Sequence, residues 1–225
     1  MRAAVMGSVL IVAVVALGSG TVCANPFVNF DFEQATVVPT GPQFVQASPA
    51  FPGWTARIGS SVISAVAYNY HGIGEAEVAL YDQPDGPFNI PLLQGSYMAV
   101  MINSTTPAFT ASLEQTGDVP ADARSLHFLT SRTRPPPRVT LDGATLPLFQ
   151  MSSDVVTEKA EWAADVGGFG GVTALLRFST SPTLPYGYSF GLDDIRFSTE
   201  FAPEPNALAL GAVCGFLMLR RKRTV

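Results

Sequence analysis

Phe27-Val28-Asn29-Phe30-Asp31-Phe32-Glu33 alternates apolar and polar side chains from Val28 onward, the period-two pattern of a half-buried strand. The stretch predicts a first strand, and similar runs recur at short intervals down the chain. They cover Ser61 to Tyr70, Glu77 to Tyr81, Gly95 to Ile102, Thr110 to Gln115, Ser125 to Thr130, Arg138 to Leu141, Ala144 to Gln150, Val172 to Ser179 and Tyr188 to Phe197. Asp85-Gly86-Pro87, Gly117-Asp118-Val119-Pro120, Pro135-Pro136-Pro137 and Asp142-Gly143 punctuate them. A loop through Pro39, Gly41, Pro42 and Pro49 leads to Phe51-Pro52-Gly53-Trp54. Glu158 to Val166 fits a short helix, but Glu161-Trp162-Ala163-Ala164-Asp165 also reads as a strand entering the turn Gly167 to Gly171, and the strand is preferred. Many short strands and no convincing long helix predict an all-β, antiparallel sandwich.

That domain is bracketed by two apolar segments. Met1-Arg2, the run Ala3 to Leu17 and the small residues before Ala24 have the three sections of a secretory signal peptide, with cleavage after Ala24. Near the other end stand Pro203-Glu204-Pro205, the apolar run to Leu219 and the basic group Arg220, Arg221, Lys222 and Arg223. The 14 residues from Asn206 to Leu219 make a helix of roughly 21 Å, short against a bilayer core of roughly 30 Å. Snorkelling arginines and local thinning close that gap, and the basic end stays cytoplasmic. The division is therefore 1–24 signal peptide, 25–202 sandwich domain and 203–225 membrane-spanning tail.

Of 13 lysines and arginines, Arg2 and four tail cations fall outside the body, leaving 8; of 18 acids only Glu204 does, leaving 17. A body at −9 argues against nucleic acid as partner. Both cysteines, Cys23 and Cys214, also lie outside it. The body therefore has no disulfide, thiolate nucleophile or cysteine-ligated zinc.

Pro203-Glu204-Pro205, a short apolar helix and an arginine-rich end resemble the PEP-CTERM sorting signal of bacterial exported proteins. The resemblance implies an exosortase, a membrane cysteine protease, as processing partner, and exopolysaccharide as the surrounding material. The body resembles the galactose-binding-like jelly roll of carbohydrate-binding modules. The matching pieces are Asn29 to Glu33, Pro52-Gly53-Trp54, Leu113 to Pro120 and Leu192-Asp193-Asp194-Ile195-Arg196-Phe197.

In such a fold the chain ends meet, which brings Glu33 towards Asp193 and Asp194. The resemblance implies a structural Ca2+ there, and converging carboxylates suit that ion, which takes six to eight oxygen ligands. Glu33 and Asp194 are the first choices, since neighbouring strand residues face opposite ways. The alternative is that Asp193 and Asp194 cap a turn and pair with Arg196.

Tyr68, Tyr70, Tyr81 and Tyr186 are candidate glycan platforms, and Trp54 and Trp162, flanked by apolar residues, read as core. The two histidines give little chemistry. His127, on an alternating strand, reads as facing solvent. His71, near Glu75 and Glu77, lacks a second histidine at ligand spacing. No nucleophile elbow or His-Glu-x-x-His motif occurs. The expectation is an exported structural or glycan-binding protein without catalysis, with a polysaccharide-active enzyme as the alternative; paired carboxylates are defined by spatial separation and cannot be read from the chain.

Overall fold

The computed structural model describes residues 25–72, 75–84, 90–104, 106, 109–131, 135–181 and 188–202. Fifteen strands form two sheets. In chain order they are β1 (Pro39–Gly41), β2 (Phe44–Gln46), β3 (Thr55–Ile58), β4 (Ser61–Val62), β5 (Ala65–Tyr68), β6 (Glu77–Tyr81), β7 (Met98–Ile102) and β8 (Ala111–Asp118), followed by β9 (Ser125–Ser131), β10 (Arg138–Leu141), β11 (Ala144–Thr145), β12 (Phe149–Asp154), β13 (Lys159–Asp165), β14 (Thr173–Ser179) and β15 (Ser189–Ser198). The larger sheet runs β1-β2-β5-β6-β7-β15-β9-β13-β12 and the smaller β11-β10-β14-β8-β3-β4. One helical turn, Ala47–Ala50, follows β2, and a 3-10 turn, Gly167–Phe169, follows β13. The expected β-sandwich is present, with the segment 159–165 as a strand. Among the described residues its strand pairings are antiparallel except β5 with β6, which is parallel, and an isolated parallel bridge joins Pro26 to Asp118.

The sheets are joined by side chains that alternate inward. On β14, Ala174, Leu176 and Phe178 are buried while Leu175, Arg177 and Ser179 face outward, the alternation a sheet with one dry face requires. Phe178 lies edge-on to Phe128 of β9 at 5.2 Å between centroids and touches Trp54 at 6.2 Å. Trp54 is thus core, as expected, and Trp162 is half-buried with its indole N–H on Thr130. The central strand β7 is buried along its whole length. Its outer face is covered by the segment carrying Ile90 and Leu93, which packs on Met98 and Gly191.

The first expectation is overturned. Phe27 to Glu33 is not a strand but a turn, with Asn29 and Phe32 in the left-handed conformation (φ 53° and 57°). The Asn29 side chain accepts from Gln34 N and donates to Pro52 O, and the Asn29 main-chain carbonyl receives the Trp54 indole N–H. Gln115 clips the Val28 peptide from both sides. Phe27 and Phe30 stack at 5.5 Å and meet Phe197, while Phe32 packs between Phe51 and Trp54. The alternating phenylalanines plug one end of the sandwich, so their period reflects packing of a coil rather than strand pleat. Conversely, β1 and β2 form within a segment read as loop, because Pro39 and Gly41 occupy an edge strand, where a missing N–H does no harm.

Among the described residues no helix is long and apolar enough to cross a membrane. The expected signal peptide and the tail with Pro203, Glu204, Pro205, Arg220, Arg221, Lys222 and Arg223 lie outside the described residues, as does Tyr186.

Candidate functional site

The end plug brings the predicted carboxylates together in an unequal way. Ile195 N donates to Phe30 O, which ties the N-terminal turn to β15 and places Glu33 over the loop Gln94 to Tyr97. Glu33 Oε1 accepts Ser96 N at 2.7 Å and Tyr97 N at 3.0 Å. Asp193, fully buried, accepts Gln94 N on Oδ2 at 2.9 Å and Asp194 N on Oδ1 at 2.7 Å. Burial pushes the Asp193 carboxyl up to about 7; its two backbone hydrogen bonds oppose this, and the charges of Asp194 and Glu33 add to it.

Asp194 turns away. It sits at a bulge in the β15–β9 pairing with φ 45°, and its Oδ2 accepts Arg196 Nη1 at 2.5 Å. Asp193 rather than Asp194 therefore shares the 94–97 loop with Glu33. No group of three metal-ligating side chains occurs among the described residues. The carboxylates of Glu33 and Asp193, both bound to the 94–97 loop, are hard oxygen donors of the kind a hard cation takes.

A second arrangement escaped the sequence reading. His127 is buried rather than facing solvent, with Nε2 2.9 Å from Ser125 Oγ and Nδ1 3.2 Å from Glu161 Oε1. Arg196 also binds Glu161. The order serine, histidine, carboxylate imitates a nucleophile with its base and orienting acid. The Ser125 hydroxyl, however, donates to Glu200 O at 2.7 Å, and Ser125 is fully enclosed. Its oxygen is left to accept from the imidazole, so the group ties β9 to β13 and to the segment after β15. His127 and Glu161 face each other because β9 and β13 pair, a register no local pattern reports.

A further candidate lies among β2, β3, β5 and β6. A groove of about 340 Å³ is lined by Phe44, Ile58, Ile63, Tyr70, Glu75 and Glu77 among others. Phe44 and Tyr70 meet edge to face at 6.4 Å, and Phe44 is 42% exposed. Glu77 Oε2 accepts Gly72 N at 2.7 Å, and burial, reinforced by the Glu75 charge, raises its carboxyl above the usual range. Of the tyrosines singled out, Tyr70 lines this groove. Tyr81 is buried and offers no platform. Tyr68 donates to Asp82 at 2.6 Å, and that hydrogen bond, with burial, pushes its phenol up to about 12. Phe44 was missed because a phenylalanine inside a proline-bounded loop carries no periodic signal.

The chain matches no protein-family model and no curated protein sequence. Solved structures similar to it include a cyclase from Fischerella sp. TAU in complex with 4-(1H-indol-3-yl)butan-2-one, at 14% identity and a TM-score of 0.50, covering 81% of this chain and 100% of that one. Another is the enzymatically active domain of tailspike protein 4 of bacteriophage CBA120, at 14% identity and a TM-score of 0.41, where the match covers 78% of this chain but spans only 21% of that one. A third is TmCBM61 in complex with beta-1,4-galactotriose, at 13% identity and a TM-score of 0.36, covering 79% of this chain and 100% of that one. The likeness to the cyclase is one of fold.

Proposed function

We propose that this chain is an exported bacterial cell-envelope or matrix protein whose jelly-roll body binds glycans without catalysis. One observation carries the binding reading: two aromatic side chains and two carboxylates, Phe44, Tyr70, Glu75 and Glu77, line one open groove between the sheets. Aromatic faces stack on the apolar faces of sugar rings, and carboxylates accept from sugar hydroxyls. In this reading residues 203–225 form the sorting tail, anchored in the membrane until an exosortase cleaves near Pro203-Glu204-Pro205. A structural Ca2+, held by Glu33, Asp193 and main-chain oxygens, would neutralise the buried charge and lock the end plug onto β15.

Titration with a panel of neutral oligosaccharides tests the groove. Wild type binds at least one saturably, and Tyr70→Ala or Phe44→Ala weakens that binding tenfold or more. Binding that survives both substitutions overturns the assignment. The polysaccharide-active alternative draws on the raised Glu77 carboxyl beside Glu75, an environment that would suit a general acid. Release of reducing ends from any panel member, abolished by Glu77→Gln, would decide for it.

A further inference from the structure

The outward face of the smaller sheet carries a second arrangement, remote in kind from the aromatic groove. Strand register sets two polar rows across β10, β14, β8 and β3. One reads Thr140, Arg177, Glu114, Thr55 and the next Arg138, Ser179, Ser112, Arg57, each residue directly opposite its neighbour on the adjacent strand. Val139, Leu176, Phe178, Leu113 and Ala56 alternate with them into the core, so the rows cannot turn inward. Arg138 and Arg57 are separated by three strand spacings, about 14 Å. Between them lies a groove of about 260 Å³ whose lining includes Arg138, Arg177, Ser112, Ser179 and Thr140.

Charge on this face is unbalanced. Glu114, buried, accepts Arg57 Nε at 2.5 Å and Arg177 Nε at 2.7 Å; one carboxylate thus serves two guanidinium groups. Arg138 donates to Thr145 Oγ1 at 3.0 Å and makes no ion pair among the described residues. Three arginines face one acid, on a body whose sequence charge is −9. A guanidinium has five N–H donors in a fork that matches a carboxylate. Arg177 spends two nitrogens on Glu114 and Arg138 one on Thr145, so both retain donors for a ligand.

We propose that this face is a binding site for an acidic polysaccharide, a polyuronate, with Arg138 and Arg177 taking sugar carboxylates and Ser179 and Thr140 taking hydroxyls. A spaced row of guanidinium groups separated by hydroxyls fits carboxylates repeated along a sugar chain. The densely charged backbone of a nucleic acid would meet the acidic remainder of the body. It shares no lining residue with the Phe44–Tyr70 groove.

The test titrates the full chain, with no calcium added, with alginate oligosaccharides and with the same oligosaccharides after carboxyl reduction. The expected result is saturable binding of the acidic form that weakens steeply with added sodium chloride and at least tenfold weaker binding of the reduced form. Arg138→Gln and, separately, Thr140→Glu each lower the affinity tenfold or more at unchanged thermal midpoint, whereas Tyr70→Ala leaves it unchanged. Equal binding of the reduced form, absence of alginate binding at low salt, or wild-type affinity in both variants overturns the site. Loss of alginate binding in Tyr70→Ala also overturns it, by moving the contact to the other groove. Failure of every neutral glycan to bind overturns the groove reading and leaves this one standing.

Discussion

Gly95 holds the Glu33 carboxylate in a space no other residue could leave. Its φ is 55°, and a Cβ placed there would stand 2.2 Å from Glu33 Oε1. Gly95→Ala should therefore lose stability twice, through left-handed backbone strain and through displacement of Glu33 from Ser96 and Tyr97, by about 1–3 kcal/mol in all. Urea unfolding of the variant checks this, and wild-type stability would refute it. Glu77 offers a pH test. Its carboxyl is raised by burial, so the folded state holds the proton more tightly than the unfolded one. Its contribution to stability is full below pH 4.5, the ordinary value, and is lost as pH rises through the raised folded value. Glu77→Gln keeps an acceptor for Gly72 N and should stabilise the protein at neutral pH while flattening that descent; midpoints measured from pH 4 to 8 decide. Tyr68 is a third reporter: ultraviolet titration should lose one phenol ionising at about 12 in Tyr68→Phe. At this scale the sequence pointed to Glu33 and to the Asp193-Asp194 pair. It chose Asp194 over Asp193, whereas Asp193 shares the loop with Glu33, because a bulge between Asp193 and Arg196 resets the strand's alternation.

Among elements, β14 and its partners show which strands depend on one another. Phe178 on β14 reaches Trp54, just before β3 of its own sheet, and Phe128 on β9 of the opposite sheet, so Phe178→Ala should cost about 3–5 kcal/mol through the cavity it leaves. Glu114 on β8 neutralises Arg57 of β3 and Arg177 of β14. Glu114→Ala removes the shared partner of two partly exposed guanidinium groups on neighbouring strands and should cost about 1–2 kcal/mol, an effect that high salt reduces; calorimetry in low and high salt reads both. Strand identity was largely legible where a run alternates or is buried throughout: Glu77 to Tyr81 and Arg138 to Leu141 are β6 and β10 to the residue. It was misleading at Phe27 to Glu33, where three phenylalanines fill one aromatic cluster from a turn, and silent at β1 and β2, whose prolines and glycine suit an edge but read as loop.

For the molecule as a whole, one hydrophobic cluster spans both sheets and includes the end plug through Phe32, so unfolding should be a single cooperative transition, with equal calorimetric and van't Hoff enthalpies. A separate early transition would show the plug melting alone. Composition and pattern by themselves determined a β-rich, cysteine-free, acidic body between two apolar ends, because alternation and charge are properties of the chain that survive any arrangement of it. Only the tertiary structure decided what meets what. The pairing of β9 with β13 makes His127 a buried partner of Ser125 and Glu161, the pairing of β2 with β5 brings Phe44 to Tyr70, and the register of β10, β14, β8 and β3 sets Arg138, Arg177 and Arg57 on one face. Those juxtapositions join residues many positions apart, and strand register, fixed by packing of the dry face, leaves no local trace in sequence.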